Sequence, residues 1–463
     1  MPKFDSLVLK NQALALIFNI WSWGLSWLPD IFIRTRPRQP RYGEAAVEIS
    51  GPGGLDRLRT IKLDDGGDGG GDFTCCVGYN VPGHSPSVTR VLGNVIPQDA
   101  VIVSNRAFSI NYADVCIRWG LYESALRFVG WPIVPGFDIA GVVEVAGENS
   151  GFKAGQEVYG CTLFGGYGTR VLVPGRQLML KPSNLGMEEA AAVPAVAGTA
   201  LHALALAGFW QHRSANGKGP ITPSLLRNRA VLIHSAAGGV GSMLVQMAKL
   251  LGCSPIVAVV GSTHKVEFCR TILGADVVID KSQESLWSAA RAALPKSLGG
   301  YAAIFDANGV STLRESFDAL DRCGRLIVYG FHSNLPRGAD LLSPLAWIRM
   351  AYNMCRLPSF DPMELVLESK AVLGFNLSFF ADEKELIKAY LEQVNEWIIA
   401  GDIRLGKVTV FDSMQNVKEA HHLIQSGSSI GKIVVRAQIL EAKTTSTCCS
   451  SSIRTDTLKK KRV

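Results

Sequence analysis

The sequence predicts an α/β protein in which a doubly wound parallel sheet follows a smaller β-rich, barrel-like module. Three observations predict it. The first is a short apolar run, Val231-Leu232-Ile233, that turns through Gly238, Gly239 and Gly241 into a segment with Val240, Met243, Leu244, Met247 and Leu251 at helical spacing. The second is rhythm: apolar strand-like runs begin near residues 231, 255, 277, 302 and 325, with helical patterns between them, the signature of βαβ units. The third is the stretch Ala100 to Pro182, where short runs such as Val101-Ile102-Val103, Ile139–Val145 and Arg170–Val173 alternate with Gly and Pro turns.

Strand, glycine turn and helix together open a dinucleotide-binding unit. Gly238 lets the backbone approach a pyrophosphate, Gly241 lets the helix sit close to its strand, and the helix N-terminus offers free N–H groups to phosphate. Ala236 stands where the first glycine of G-x-G-x-x-G is usual, so the turn gains its meaning from the βαβ rhythm around it.

Composition narrows the function classes. At 463 residues with 47% hydrophobic and 19% charged, the chain has room for two or three domains with full cores. Of the net charge of +7, residues 1–41 and 441–463 carry +4 each, so the body between them is near −1 and shows no nucleic-acid footprint. The ten cysteines include no C-x-x-C pair, and a reduced, cytoplasmic-facing protein is expected.

In chain order, residues 1–40 form a hydrophobic and basic extension. Residues 11–29 carry no charge, hold Trp21, Trp23 and Trp27, and precede Arg34, Arg36 and Arg38. That pattern suits peripheral membrane contact, while a spanning helix, a secretory signal and a helix packed on the body stay open as alternatives. Tyr42–Leu63 reads as a β-hairpin around Gly51–Gly54. Residues 64–98 read as a flexible insertion, and Asp64–Asp72 within it as a solvated loop. Glu188–Ala207 is helical and opens the second domain. Helices are expected over His264–Leu273 and Ser311–Asp321, and 341–371 is an extra helical stretch of core or lid character. Lys384–Ile399 and Val417–Gln425 read as helices, with a closing strand at Gly431–Val435. Past Arg436 periodicity is lost, and Lys459–Arg462 resembles a nuclear-localisation run on a disordered basic tail, 437–463.

Particular residues carry a family resemblance. Asn111-Tyr112-Ala113-Asp114 with Arg118-Trp119-Gly120-Leu121-Tyr122 resembles the N-[FY]-x-D…R-x-G-x-Y segment of the zinc-independent quinone oxidoreductase branch of the medium-chain dehydrogenase/reductase superfamily. Val134–Val143, Ala154–Val158, Glu188–Ala192, His234–Gly241, Asp306–Gly309 and Tyr329–His332 continue the match. Val372–Ser378 and Gly431–Val434 look most like its VAT-1-like subgroup. The resemblance covers about 41–436, interrupted at 64–98 and 210–227. It implies a GroES-like catalytic domain (41–187, resumed at 372–436) and a Rossmann nucleotide domain (188–371).

The same resemblance implies chemistry. Related zinc enzymes have a Cys where this chain has Ile110-Asn111-Tyr112 and G-H-E where it has Gly136-Phe137-Asp138, so no metal is expected. The second strand of the nucleotide unit ends in Val260-Gly261-Ser262 without the carboxylate that holds an NAD ribose; Ser262, Lys265 and Lys281 suit a 2′-phosphate, hence NADPH. Ala237, Gly238, Gly239, Val240 and Gly241 would cradle its phosphates. Asn111, Tyr122 and Thr199 would line the nicotinamide end, with Asn308, Gly330, Phe331, Phe375 and Asn376 completing the cofactor site. Tyr122 and Asn111 are the catalytic candidates, Tyr122 as donor to a developing enolate or quinol oxygen. The expected activity is NADPH-dependent reduction of a quinone or an α,β-unsaturated carbonyl in a homodimer. The alternative is a catalytically weak, membrane-associated scaffold that keeps the fold and binds nucleotide.

Overall fold

The computed structural model describes residues 45–63, 72–78, 88–92, 96–211, 229–331, 344–380 and 383–440. The apolar and basic extension 1–40, the acidic loop 64–71, and the tail 441–463 with its Lys459–Arg462 run lie outside the described residues, as does most of the 210–227 insertion. Among the described residues no helix is long and apolar enough to cross a membrane.

The hairpin forms as its alternation predicts: β1 (Ala45–Ile49) pairs antiparallel with β2 (Leu58–Lys62), Ala45 opposite Lys62. Insertion 64–98 departs from the flexible-loop expectation, because it contributes β3 (Asp72–Val77) and β4 (Val88–Leu92) to the main sheet. The reason is burial, since Cys75, Cys76 and Val77 pack into the core and give β3 an apolar anchor. Then come β5 (Ala100–Ile110), α1 (Tyr112–Arg118), α2 (Glu123–Phe128), β6 (Asp138–Ala146), β7 (Glu157–Cys161), β8 (Arg170–Pro174) and β9 (Leu178–Leu180). The strands bond in the order β4-β3-β8-β5-β6-β7-β9. Period-two alternation sends Val101 and Val103 to one cluster with Ile139 and Val171, and Ile102 to another with Cys75 and Leu172.

The helical stretch expected over 188–207 is two helices, α3 (Met187–Ala191) and α4 (Pro194–Leu206). Pro194 cannot continue a helix, having no N–H, but fits the first position of the next one. The nucleotide sheet holds β10 (Val231–Ile233), β11 (Ile256–Val260), β12 (Val277–Asp280), β13 (Tyr301–Asp306), β14 (Leu320–Val328) and β15 (Ala371–Gly374). All are parallel, in the order β12-β11-β10-β13-β14-β15, so the winding reverses direction at β10. β10, β11 and β13 are buried throughout, as strands covered on both faces must be.

Two further helical expectations change. His264–Leu273 is a 3₁₀ turn at Thr263–Lys265 followed by a π-helix at Phe268–Ile272, not one α-helix. The stretch 341–371 supplies two short helices, Pro344–Cys355 and Pro362–Glu368, but Leu345, Ile348 and Tyr352 on the first are exposed rather than core. β15 belongs to the parallel sheet beside β14, so that sheet reaches Gly374. The chain then returns through the helix Lys384–Ala400, β16 (Val408–Phe411), the helix Val417–Ser426 and β17 (Lys432–Arg436). β17 lies antiparallel against β5, with Ile433 opposite Ile110. This pairing carries Lys432 to the end of β5.

Candidate active site

Between the two sheets runs a cleft of about 1380 Å³, reaching from the glycine turn to the end of β5. Ala237, Gly238, Gly239, Val240 and Gly241 form one end of its wall. Gly239 begins the helix Gly239–Leu250, whose first N–H groups have no partner inside the helix and so suit phosphate oxygens. A Cβ on Gly241 would lie 2.4 Å from the Ser235 carbonyl oxygen and 2.6 Å from the Ala236 Cα. Ala236 is buried beneath the turn, so its methyl replaces the usual glycine without touching the cleft. Gly431 N donates to the Ala237 carbonyl at 2.8 Å and ties the turn to β17.

Ser262, Lys265 and Lys281 also line the cleft, beyond the end of β11. Lys265 Nζ donates to the Gly427 carbonyl at 2.6 Å, and His264 Nε2 meets the Ser428 carbonyl at 3.1 Å. The loop after the Val417–Ser426 helix therefore joins this end of the cleft, with Ser426, Ser428 and Ser429 on its wall. Sequence reading missed that loop because nothing local to Gly427 announces a lysine 162 residues away. Asp280, at the end of β12, accepts from Thr263 Oγ1 at 2.7 Å and Ser282 Oγ at 2.6 Å, so its carboxylate is engaged.

At the opposite end the wall is built by Asn111, Tyr122, Thr199, Gly330, Phe331, Phe375 and Asn376. Tyr122 Oη donates to Asn376 Oδ1 at 3.0 Å, and Asn376 Oδ1 also accepts from Ser378 Oγ at 2.7 Å. Burial pushes the Tyr122 hydroxyl up to about 12, so it stays protonated and can act as a donor. Thr199 Oγ1 donates to the Ala195 carbonyl at 2.6 Å, which leaves its lone pairs rather than its proton for a ligand. Cys116 faces the cleft, but burial first and the Asp114 charge second push its thiol up to about 12, which rules out a standing thiolate.

Asn308 departs from expectation. It is buried, does not line the cleft, and its Oδ1 accepts from Ser235 Oγ at 3.1 Å. The reason lies in Asp306, whose Oδ1 accepts from Asn308 N at 2.7 Å and Gly309 N at 3.0 Å and folds the 306–309 turn inward beneath the glycine turn.

The floor at this end is a buried polar cluster that no single motif describes. Asp138 is fully buried; Oδ1 accepts from Ala195 N at 2.6 Å, and Oδ2 accepts from Ser109 Oγ and from Asn111 Nδ2 at 2.8 Å. Lys432 Nζ lies 3.5 Å from Asp138 Oδ2 and donates to Asn111 Oδ1 and to the Ile110 carbonyl at 3.2 Å. Burial lowers the Lys432 ammonium, while Asp138 and Asp114 work to keep it charged. The signal for this residue was a lysine inside the apolar run Ile430–Val435, at a strand position that faces inward.

These residues do not fit a zinc ion. Phe137 has no donor atom, and both oxygens of Asp138 are already engaged, Oδ1 by Ala195 N and Oδ2 by Ser109 Oγ, Asn111 Nδ2 and the nearby Lys432. Among the described residues no group of three His, Cys, Asp or Glu side chains could hold a metal.

Comparison with known proteins agrees with this architecture. Residues 97–183 match the alcohol dehydrogenase GroES-like domain family, and residues 239–392 match the family described as zinc-binding dehydrogenase. The chain is 34% identical over 215 residues to 2-methylene-furan-3-one reductase of Solanum lycopersicum, covering 43% of this chain and 50% of that protein. It is 26% identical over 341 residues to the synaptic vesicle membrane protein VAT-1 homolog of Danio rerio, covering 73% of this chain and 64% of that one. The chain thus spans about half to two thirds of the length of these curated relatives. Among solved structures, the quinone oxidoreductase of Escherichia coli, complexed with NADPH, shares the fold with a TM-score of 0.62 at 20% identity, covering 85% of this chain and 99% of that one.

Proposed function

Because this chain belongs to the medium-chain dehydrogenase/reductase superfamily, on its VAT-1-like and quinone oxidoreductase side, we propose that it is an NADPH-dependent, zinc-independent reductase of a quinone or an α,β-unsaturated carbonyl. The observation that carries this reading is one continuous cleft. It joins a glycine turn, a lysine-and-serine end without a ribose-binding acid, and a donor-lined end above the buried Asp138–Lys432 pair.

NADPH supplies the hydride, and the protein's part is to hold and polarise. The turn at Ala237–Gly241 would hold pyrophosphate through backbone N–H groups, and Ser262, Lys265 and Lys281 would hold the 2′-phosphate. Thr199, Phe375 and Gly330, which line the cleft, would flank the nicotinamide. Asn111 and Tyr122 donate to the substrate oxygen as negative charge develops there, the protonated Tyr122 releasing its hydrogen bond to Asn376 to do so. Names of relatives support the substrate class, since they include an NADPH-dependent alkenal/one oxidoreductase from Arabidopsis thaliana.

A second reading has one observation in its favour. Tyr122 is already bonded to Asn376, and a nucleotide-binding scaffold would leave that bond undisturbed. Steady-state NADPH oxidation over a panel of quinones and enones separates the two. Turnover of at least one class is expected; tight NADPH binding without turnover across the panel would favour the scaffold.

A further inference from the structure

The Asp138–Lys432 pair sits where a reductase needs control of its oxygen-binding donor, and its contacts assign a task to it. The Asn111 amide lies between opposite charges: its Oδ1 accepts from the Lys432 ammonium, and its Nδ2 donates one hydrogen to the Asp138 carboxylate at 2.8 Å. The second Nδ2 hydrogen is left only a long 3.5 Å contact with Ser109 Oγ, which a substrate oxygen can replace. Turning the amide over would set its oxygen against the carboxylate and its NH₂ against the ammonium, which is unfavourable at both ends. The orientation is therefore fixed by charge. The lysine is fixed in turn. Its remaining hydrogens go to the Ile110 carbonyl and toward Asp138, and its stem packs so closely on the glycine turn that a Cβ on Gly239 would meet its Cδ at 3.3 Å. Asp138 is fixed by the Ala195 N–H in the first turn of the Pro194–Leu206 helix, a favourable place for a carboxylate.

We infer that Lys432 is a positioning residue of the reaction: paired with Asp138, it holds and polarises the Asn111 amide as a donor to the substrate oxygen, and it links that amide to the phosphate turn. An amide whose oxygen accepts from an ammonium becomes a stronger N–H donor, because hydrogen bonds in a chain polarise one another. Lys432 need not touch substrate to do this. The inference rests on the reductase reading, and its test has one part that does not.

That part uses protein labelled with ¹⁵N at asparagine, with the Asn111 side-chain signal assigned by its loss in Asn111→Ala. Lys432→Met should move the Asn111 NH₂ resonances toward those of an exposed amide, and Lys432→Arg should move them less. An Asn111 signal unchanged by Lys432→Met would overturn the positioning role, whether or not the protein turns over any substrate.

The kinetic part asks whether the reaction uses the position. Lys432→Met should lower kcat about 30-fold with the NADPH dissociation constant changed less than about threefold, and Lys432→Arg should restore most of the loss. In a double-mutant cycle, Lys432→Met added to Asn111→Ala should cost nothing further. Effects that multiply, or a kcat held within about threefold, would overturn the inference even with a fully active parent. Should Lys432→Met fail to fold, Lys432→Gln is read by the same criteria. A parent inactive on every substrate would instead sink the reductase reading, leaving the resonance shift to decide the positioning.

Discussion

The glycine turn at Ser235–Gly241 and the floor at Asn111, Asp138 and Lys432 bound the same cleft, yet they are made by opposite means. The turn is local and built of backbone; its design is steric, since Gly241 is pressed against Ser235 and Ala236. The floor is assembled from β5, β6, β17 and a helix of the nucleotide domain, and its design is electrostatic. A local backbone device tolerates no added atom, whereas a charge cluster tolerates changes of shape but not the loss of one sign. That difference predicts where substitutions will hurt.

The largest effect should come at the turn. Gly241→Val places side-chain atoms into backbone that cannot withdraw, so NADPH binding should fall by at least about 100-fold in a fluorescence titration. Near-normal binding would break the contrast. On the floor, Asp138→Leu leaves an ammonium buried without its counter-ion and should cost about 3–5 kcal/mol in urea unfolding. Adding Lys432→Met should recover part of that loss, because the second change removes the stranded charge. Failure of the double variant to recover would mean that packing, not charge, dominates the floor.

Smaller effects test the two ends. Lys265→Ala should weaken NADPH binding about 10- to 100-fold while leaving NADH little changed, the loss of one charge-assisted contact to phosphate. Equal losses for both cofactors would show that Lys265 serves chiefly the loop at Gly427. Tyr122→Phe should be mildest, lowering kcat by less than about tenfold, since the hydroxyl must leave Asn376 before it can donate to substrate.

The same contrast explains what the sequence disclosed. The parallel sheet was legible because βαβ rhythm repeats along the chain, and β11 and β12 fall where the apolar runs do. The turn was legible because all its parts lie within seven residues, Ser235 to Gly241. The floor was not, because Lys432 reaches Asn111 across 321 positions through the β17–β5 pairing. Asn308 misled for a related reason: its motif is right, but whether it faces the cleft depends on Asp306 bonding the turn inward. Strands β3 and β4 escaped notice behind a glycine-rich loop that hides the apolar run after it.

The central claim, as proposed above, is metal-independent hydride transfer in a cleft floored by the Asp138–Lys432 pair. It is tested most directly by presenting chelator-dialysed protein with NADPH deuterated at the transferred position and an enone or quinone substrate. The account predicts that an enone product carries one deuterium at carbon by mass spectrometry, and that the rate of NADPH oxidation is the same before and after chelation. No deuterium in the enone product, or activity that falls on chelation and returns with zinc, would contradict it.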